Sequence, residues 1–294
     1  MFVQLLANGI IYGSIIALVA VGFSLIFSTN RFVHFAHGSV IVCGGFFLHT
    51  FYSLAGLNFY LSAVLTIIAT ALLGLVIYLL VYYPLRRRQA SAVILLIASL
   101  GVMILLDNLN LLIFGADVKV LNFIEVKKGL DILGAIITPL QLVIITVSLI
   151  LLVLVSLFTR YTALGKTIRA VADNPTLAEI LGISTRKIEA ISFLVGSALA
   201  GFASVMFTLE YGVEFSMGIV HTIAGFTGAV IGGINSLAGS ILGSYLLGLV
   251  QNLGIWFLPS GFKMAIAFIL LLLFLLIKPN GIFGIEKGAR EQKI

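Results

Sequence analysis

Asp107 is the residue with the most direct chemical potential in this chain. It sits with Asn108 and Asn110 inside the apolar run 92–114. A carboxylate among hydrocarbon is costly, so it must face protein or water. It is either a structural hydrogen-bonding group or part of a pathway. His34 and His37 flank the start of another apolar run. With Asn30 and Arg31 they are candidates to cap a helix there, and a proton or metal role for His37 is the alternative. Gln251 and Asn252 close a later apolar run, while Glu210 and Glu214 fall at a boundary where water can solvate them. Cys43 is the single cysteine, which excludes an internal disulfide and leaves a small apolar packing residue. No P-loop, HExxH helix or GxSxG elbow is present. No catalytic or metal site is therefore expected, and any use of ATP must come from another chain.

A second group of residues points to mechanics. Between 164 and 182 the chain reads LGKTIRAVADNPTLAEILG. Asn174 suits a helix N-cap, Pro175 the first helical position and Gly182 the residue just past the end. The spacing predicts a short helix over 175–181. Ala178 and Gly182, four apart, would form one small-residue edge on it. Such a helix can press into a groove on a soluble partner, with Arg169 and Glu179 nearby. Equally, it can lie on the membrane surface as an amphipathic connector.

Small residues recur at every fourth position. Ala224, Gly228, Gly232, Ser236, Ser240, Ser244 and Gly248 form the longest row, with Gly239 and Gly243 beside it. Ser192, Gly196, Ala200 and Ser204 form another, and Gly9, Gly13 and Ala17 a third. Rows of this kind let helices approach closely in lipid. The stretch Gly232-Gly233-Ile234-Asn235-Ser236 interrupts the longest row. Unwound backbone at membrane depth is tolerated where it lines a cavity or is buried in protein, so Gly232, Gly233 and Asn235 are candidate pathway residues beside His37, Asp107 and Asn108.

The elements that must hold these residues are transmembrane helices. Of the 294 residues 61% are hydrophobic and only 10% charged, and the mean hydropathy is +1.22. A chain this apolar cannot cover a water-facing surface, so lipid is its main solvent. Runs long enough to span cover 2–27, 36–55, 59–83, 92–114, 138–158, 188–209, 220–234, 237–258 and 262–277. The seventh is short and reads as a half-helix or re-entrant segment. The fold class is an all-α membrane protein, a polytopic bundle of about eight to nine spans forming one domain over 1–294. Its first run lacks the basic flank of a cleaved signal peptide. The net charge is +6, and thirteen of the seventeen Lys and Arg residues fall in loops that alternation places on one side. By the positive-inside rule that side is the cytoplasm. The loop 159–187 and the tail 279–294 then lie inside, with the N-terminus and the loop 115–137 outside.

Several motifs in order resemble the LivH-type permeases of branched-chain amino acid ABC importers, over essentially the whole chain. Tyr12-Gly13 through Ile26-Phe27 is similar to the family's first helix. His34-Phe-Ala-His-Gly38 is similar to its Asn-Phe-Ala-His-Gly motif, with His34 where asparagine is usual. Tyr83-Pro-Leu-Arg86 matches its Arg-Pro loop loosely. Gly165 to Gly182 resembles its coupling loop, Phe226 to Ile234 with Gly239 its late Gly-rich segment, and Lys278 to Gly284 its terminal motif. The resemblance implies a transport subunit of the bacterial or archaeal inner membrane without catalysis of its own. It would pair with a second homologous permease, bind two cytoplasmic ATPase subunits through Arg169 and Asn174–Gly182, and receive substrate from an external binding protein. It implies no cofactor on this chain, ATP and Mg being held by the partner subunits, and no nucleic acid. The substrate would be leucine, isoleucine or valine, another amino acid, or a short amide or urea. From the residues alone the alternative is a self-sufficient carrier, with Asp107 as a proton or cation site, or a passive channel.

Overall fold

The computed structural model describes residues 1–284 apart from 122, 124–128 and 133. Glu125, Lys127 and Lys128 of the outer loop, and the tail from 285 with Lys287, Arg290 and Lys293, lie outside the described residues. The elements are α1 (Phe2–Asn30), α2 (His37–His49), α3 (Phe59–Ile77), α4 (Tyr83–Arg87), α5 (Ala92–Phe114), β1 (Leu130–Ile132), β2 (Ala135–Ile137), α6 (Pro139–Tyr161), α7 (Ala163–Asp173), α8 (Pro175–Ile180), α9 (Thr185–Tyr211), α10 (Gly218–Gly232), α11 (Leu237–Gly254) and α12 (Lys263–Ile277). β1 and β2 pair antiparallel, with Leu130 opposite Ile137. Eight stretches are long and apolar enough to cross a membrane. The protein is thus a polytopic all-α membrane bundle.

Local chemistry sets the helix starts. Asn58, Ser91, Thr138, Thr162, Asn174 and Ser236 each accept a hydrogen bond from an amide in the first turn that follows. At α6, Gln141 returns the bond to Thr138 and completes a capping box with Pro139 at the first position.

Packing then follows the small-residue rows. Lipid tails are as apolar as leucine, so helices gain little by hiding leucines and much by close contact. α1 is the central helix and packs on α6, α9, α10 and α11. A Cβ built at Gly248 would lie 2.5 Å from the Gly9 carbonyl oxygen, and one at Gly196 would lie 2.8 Å from that of Gly22. At Gly74 it would meet Ser197 Oγ at 1.9 Å. The expected rows do face helices rather than lipid.

One expectation is corrected. The Gly232–Ser236 stretch is not a break inside a span. It is the tight turn of an antiparallel hairpin between α10 and α11, where a Cβ at Gly232 would sit 1.7 Å from the Gly239 carbonyl oxygen. Gly233 has φ +108°, which a side chain would strain. The terminal motif caps this turn: the amides of Ile282 and Phe283 donate to the carbonyls of Ile231 and Gly232, both at 2.9 Å. The long row spans two helices, as the separate runs 220–234 and 237–258 implied, and they use the same small residues to close on each other.

The second run, expected as a helix over 36–55, is helical from His37 to Leu54. The chain from 31 to 36 is irregular, and α2 begins beside Gly22, whose Cβ position lies 3.2 Å from His37 Nε2. Gly22 is eight residues before the end of α1, so α2 starts about 12 Å up that helix. α2 then runs out through a π turn, Thr50–Leu54. α10 is short for the same kind of reason. It starts at Gly218, level with Asp107, below the outer end of α5.

The ends of the bundle sort as the basic residues do. At one end Arg31 donates to the Ala172 carbonyl and Arg86 to that of Asn30. At the other, Gln4 Nε2 donates to Ile136 O at 3.1 Å and Gln141 Nε2 to Glu210 at 2.7 Å.

Two outcomes follow. An impermeant thiol reagent applied to intact cells should label a cysteine at position 117 and not one at 174; the reverse pattern would invert the orientation. Gly232→Ala should cut the yield of folded protein in detergent, because the clash is with backbone and overpacking costs about 1–3 kcal/mol. Gly101→Ala, where the added Cβ meets nothing within 4 Å, is the matched control and should fold normally.

Candidate functional site

The polar residues gather at two levels. The deeper level surrounds the irregular entry to α2. Its backbone is freed from helix bonds at membrane depth and is held by side chains from two other helices. Ser99 Oγ of α5 accepts from the Phe35 amide at 3.2 Å. Thr222 Oγ1 of α10 accepts from the Gly38 amide at 3.0 Å and lies 2.9 Å from the carbonyls of Phe35 and Gly218. Tyr82 Oη lies 2.9 Å from His34 Nδ1. A Cβ at Gly38 would stand 1.9 Å from the Gly218 carbonyl oxygen, so α2 and α10 meet backbone to backbone at their first turns.

His34 and His37 do not cap α2, whose N-cap is Ala36 with no side-chain bond. Asn30 instead donates back to the Ile26 carbonyl at the end of α1. The two rings are buried, 6.1 Å apart, and His34 packs edge-on to Phe193 at 5.1 Å. Nε2 of His34 has no hydrogen-bond partner among the described residues. Asp107 faces inward: its Oδ1 and Ser39 Oγ both lie 3.0 Å from the Cβ position of Gly218. Asn110, one turn further out, is buried against Cys43 with its amide 3.3 Å from Sγ. Asn108 points away; it is exposed, and its amide donates to Ile104 O of its own helix. Asp107 and Asn108 therefore do not form one constellation, because neighbours on a helix point about 100° apart.

The second level is the end of the bundle that carries the loop 159–187. Asn174 Oδ1 accepts from the Leu177 amide at 3.0 Å, Pro175 opens α8, and Gly182 takes φ +81° just beyond it. Ala178 and Gly182 do not share an edge. Ala178 is 2% exposed and turned onto the bundle, while Gly182 lies past the end of the helix, where four-residue spacing no longer applies. The face α8 presents outward is apolar and large: Leu177, Ile180 and Leu181. Glu179 accepts from Thr185 Oγ1 at 2.5 Å and so ties α8 to the start of α9. Arg169 donates to the Arg160 carbonyl at 3.1 Å and borders a cavity of about 200 Å³ with Ser24, Ser28, Thr159 and Asn235. Asn235 is thus brought to Arg169 at the inner end, whereas Gly232 and Gly233 serve the turn.

Sequence reasoning missed one cluster. Arg86 pairs with Glu189, and Tyr78 Oη donates to the same carboxylate at 2.9 Å. The signal was an acid just inside an apolar run, with two tyrosines four residues apart leading to Arg86. Tyr78 and Tyr82 lie in a π turn between α3 and α4.

A bundle whose polar groups sit at one irregular helix entry and around one short loop helix has the construction of a solute-transporting membrane subunit. Residues 5–275 match the family described as the branched-chain amino acid transport system permease component. The chain is 33% identical to the high-affinity branched-chain amino acid transport permease BraD of Pseudomonas aeruginosa, over 96% of each chain. It is 31% identical to LivH of Escherichia coli over 96% of each chain, and 30% identical to the probable LivH of Methanocaldococcus jannaschii over 96% of this chain and 93% of that one. The chain belongs to the branched-chain amino acid permease component family.

Asp107→Asn should retain at least half of wild-type uptake, because the amide preserves the shape and removes only the charge beside Ser39. Loss of uptake in a normally assembled variant would place the charge itself on the solute path.

Proposed function

We propose that this chain is the membrane-spanning permease subunit of an ATP-driven importer for branched-chain amino acids or related small amino acids and amides. It acts as one transmembrane domain of the bacterial or archaeal cytoplasmic membrane, beside a second homologous permease. Two cytoplasmic ATPase subunits drive alternating access, and an extracytoplasmic binding protein delivers the solute. This chain holds no cofactor; ATP and Mg belong to the ATPase subunits.

The observation that carries the ATP-driven reading is α8. It is a capped, rigid helix of six residues fixed to the bundle by Ala178 and Glu179, with Leu177, Ile180 and Leu181 outward. Large apolar side chains on a polar cytoplasmic loop gain by entering a groove on a soluble partner. Arg169, Asn174, Pro175 and Gly182 set the position of this helix, and His37 and Asp107 stand with the deeper site through which the solute passes. Similarity to the named relatives over nearly the full length supports the substrate class.

The test is leucine uptake into proteoliposomes holding the permease pair and ATPase subunits, with leucine-loaded binding protein outside. Uptake should require ATP. Ile180→Asp should reduce ATPase co-purification and uptake together by at least about tenfold, since a charge in an apolar contact goes unpaired. Full uptake in that variant would remove α8 as the docking element. Uptake that follows an imposed proton gradient without any ATPase would make the protein a secondary carrier.

A further inference from the structure

We propose that Arg86, Glu189 and Tyr78 form a positioning latch that transmits the displacement of α8 to the histidine-lined entry of α2, with the π turn Tyr78–Tyr82 as its moving part. The inference rests on the ATP-driven reading above and names the residues through which the drive passes.

The contacts run without a gap from the docking helix to the deep site. Glu179 of α8 holds Thr185, the first residue of α9, at 2.5 Å. One turn along α9, Glu189 pairs with Arg86 of α4 and accepts from Tyr78 Oη at 2.9 Å. Tyr78 Oη also lies 3.3 Å from the Arg186 carbonyl, and the Arg186 guanidinium stands 3.7 Å over the Tyr83 ring. Arg86 donates in addition to the Asn30 carbonyl, at the last residue of α1. From Tyr78 the π turn leads to Tyr82, whose hydroxyl is 2.9 Å from His34 Nδ1. Phe193, one turn beyond Glu189, lies against Tyr78 and Tyr82 at 5.2 and 5.3 Å between centroids and against His34 at 5.1 Å.

Two features make this more than a static brace. A π turn holds one more residue per hydrogen-bonded loop than an α turn, and such turns inside helices mark functional sites. Drawing it into α geometry rotates the residues beyond it relative to those before it, so Tyr78 and Tyr82 cannot both keep their partners. The segment therefore has two discrete arrangements, one of which engages Glu189 and His34 together. The ion pair is also placed where its state matters: the two side chains are 26% and 10% exposed, at the end of the membrane-spanning stretches. A buried pair is weakly stabilising when made and costly when one partner is left alone, which favours an abrupt transition over a gradual one. Arg86 and Tyr78 are the only partners of the Glu189 carboxylate among the described hydrogen bonds and salt bridges, so α9 cannot shift at that level without disturbing both.

The test uses the full transporter in proteoliposomes with leucine-loaded binding protein, reading leucine imported per ATP hydrolysed and the amount of ATPase subunit bound. Tyr78→Phe and Glu189→Gln keep shape and remove a hydroxyl or a charge. The expected result is normal subunit stoichiometry, hydrolysis within about twofold of wild type, and a fall of at least fivefold in leucine per ATP. The double variant should fall no further than the worse single variant, because one latch is broken once. A purely structural role would lower the amount of assembled complex and leave leucine per ATP unchanged, and that result overturns the latch. Additive losses in the double variant would also overturn it. Wild type showing no ATP-dependent uptake would overturn the ATP-driven reading and the latch with it, whereas wild-type coupling retained in both single variants would overturn the latch alone.

Discussion

In lipid, a backbone group released from a helix has to be paired by protein, and most of this structure follows from where that release occurs. α10 ends in the middle of a tight turn, and the amides of Ile282 and Phe283 return from the far end of the chain to take its last carbonyls. α1 ends at Asn30, where the Asn30 side chain and Arg86 take the freed oxygens. The entry to α2 is the largest release, and it recruits Ser99 from α5 and Thr222 from α10. Each repair ties together helices that are distant in sequence, so the hydrogen-bond requirement sets the tertiary arrangement as much as apolar packing does.

The same requirement explains why polar chemistry concentrates in two places. A spanning helix needs no polar side chains, and α12 has a fully apolar run from Met264 to Ile277. Serines and threonines on the inner faces mostly bond to carbonyls of their own helices, as Ser14, Thr70 and Ser244 do. His34 and His37 lie at the start of α2, Asp107 faces the start of α10, and Tyr78 and Tyr82 lie in a π turn. These sites combine irregular backbone with side chains that have unused bonding capacity, which is what a passing polar solute can exploit.

The end that carries the loop 159–187 is built differently. There the loop 159–187 packs its own short helices, α7 and α8, against α1 and α9 rather than floating free. Arg31 on the Ala172 carbonyl and Ile183 on the Ala178 carbonyl fix both helices from their ends. The outward face is tied through Glu179 to the start of α9, and α9 is also a principal neighbour of α1, α2 and α3.

The sequence by itself determined the solvent, the fold class, the cap at Asn174 and the small-residue faces. Those depend on local pattern: apolar length, turn chemistry and spacing along one helix. The family was legible in ordered motifs for the same reason. The tertiary structure alone decided that the Gly-Gly stretch is a turn, because such a stretch reads alike as a mid-membrane break or a hairpin turn until Gly232 is seen against Gly239. It decided that Ala178 turns inward and that Asn108 leaves Asp107, since direction around a helix has meaning only against neighbours. It also decided the meeting of Arg86 with Glu189, 103 residues apart in the chain, which no local spacing records.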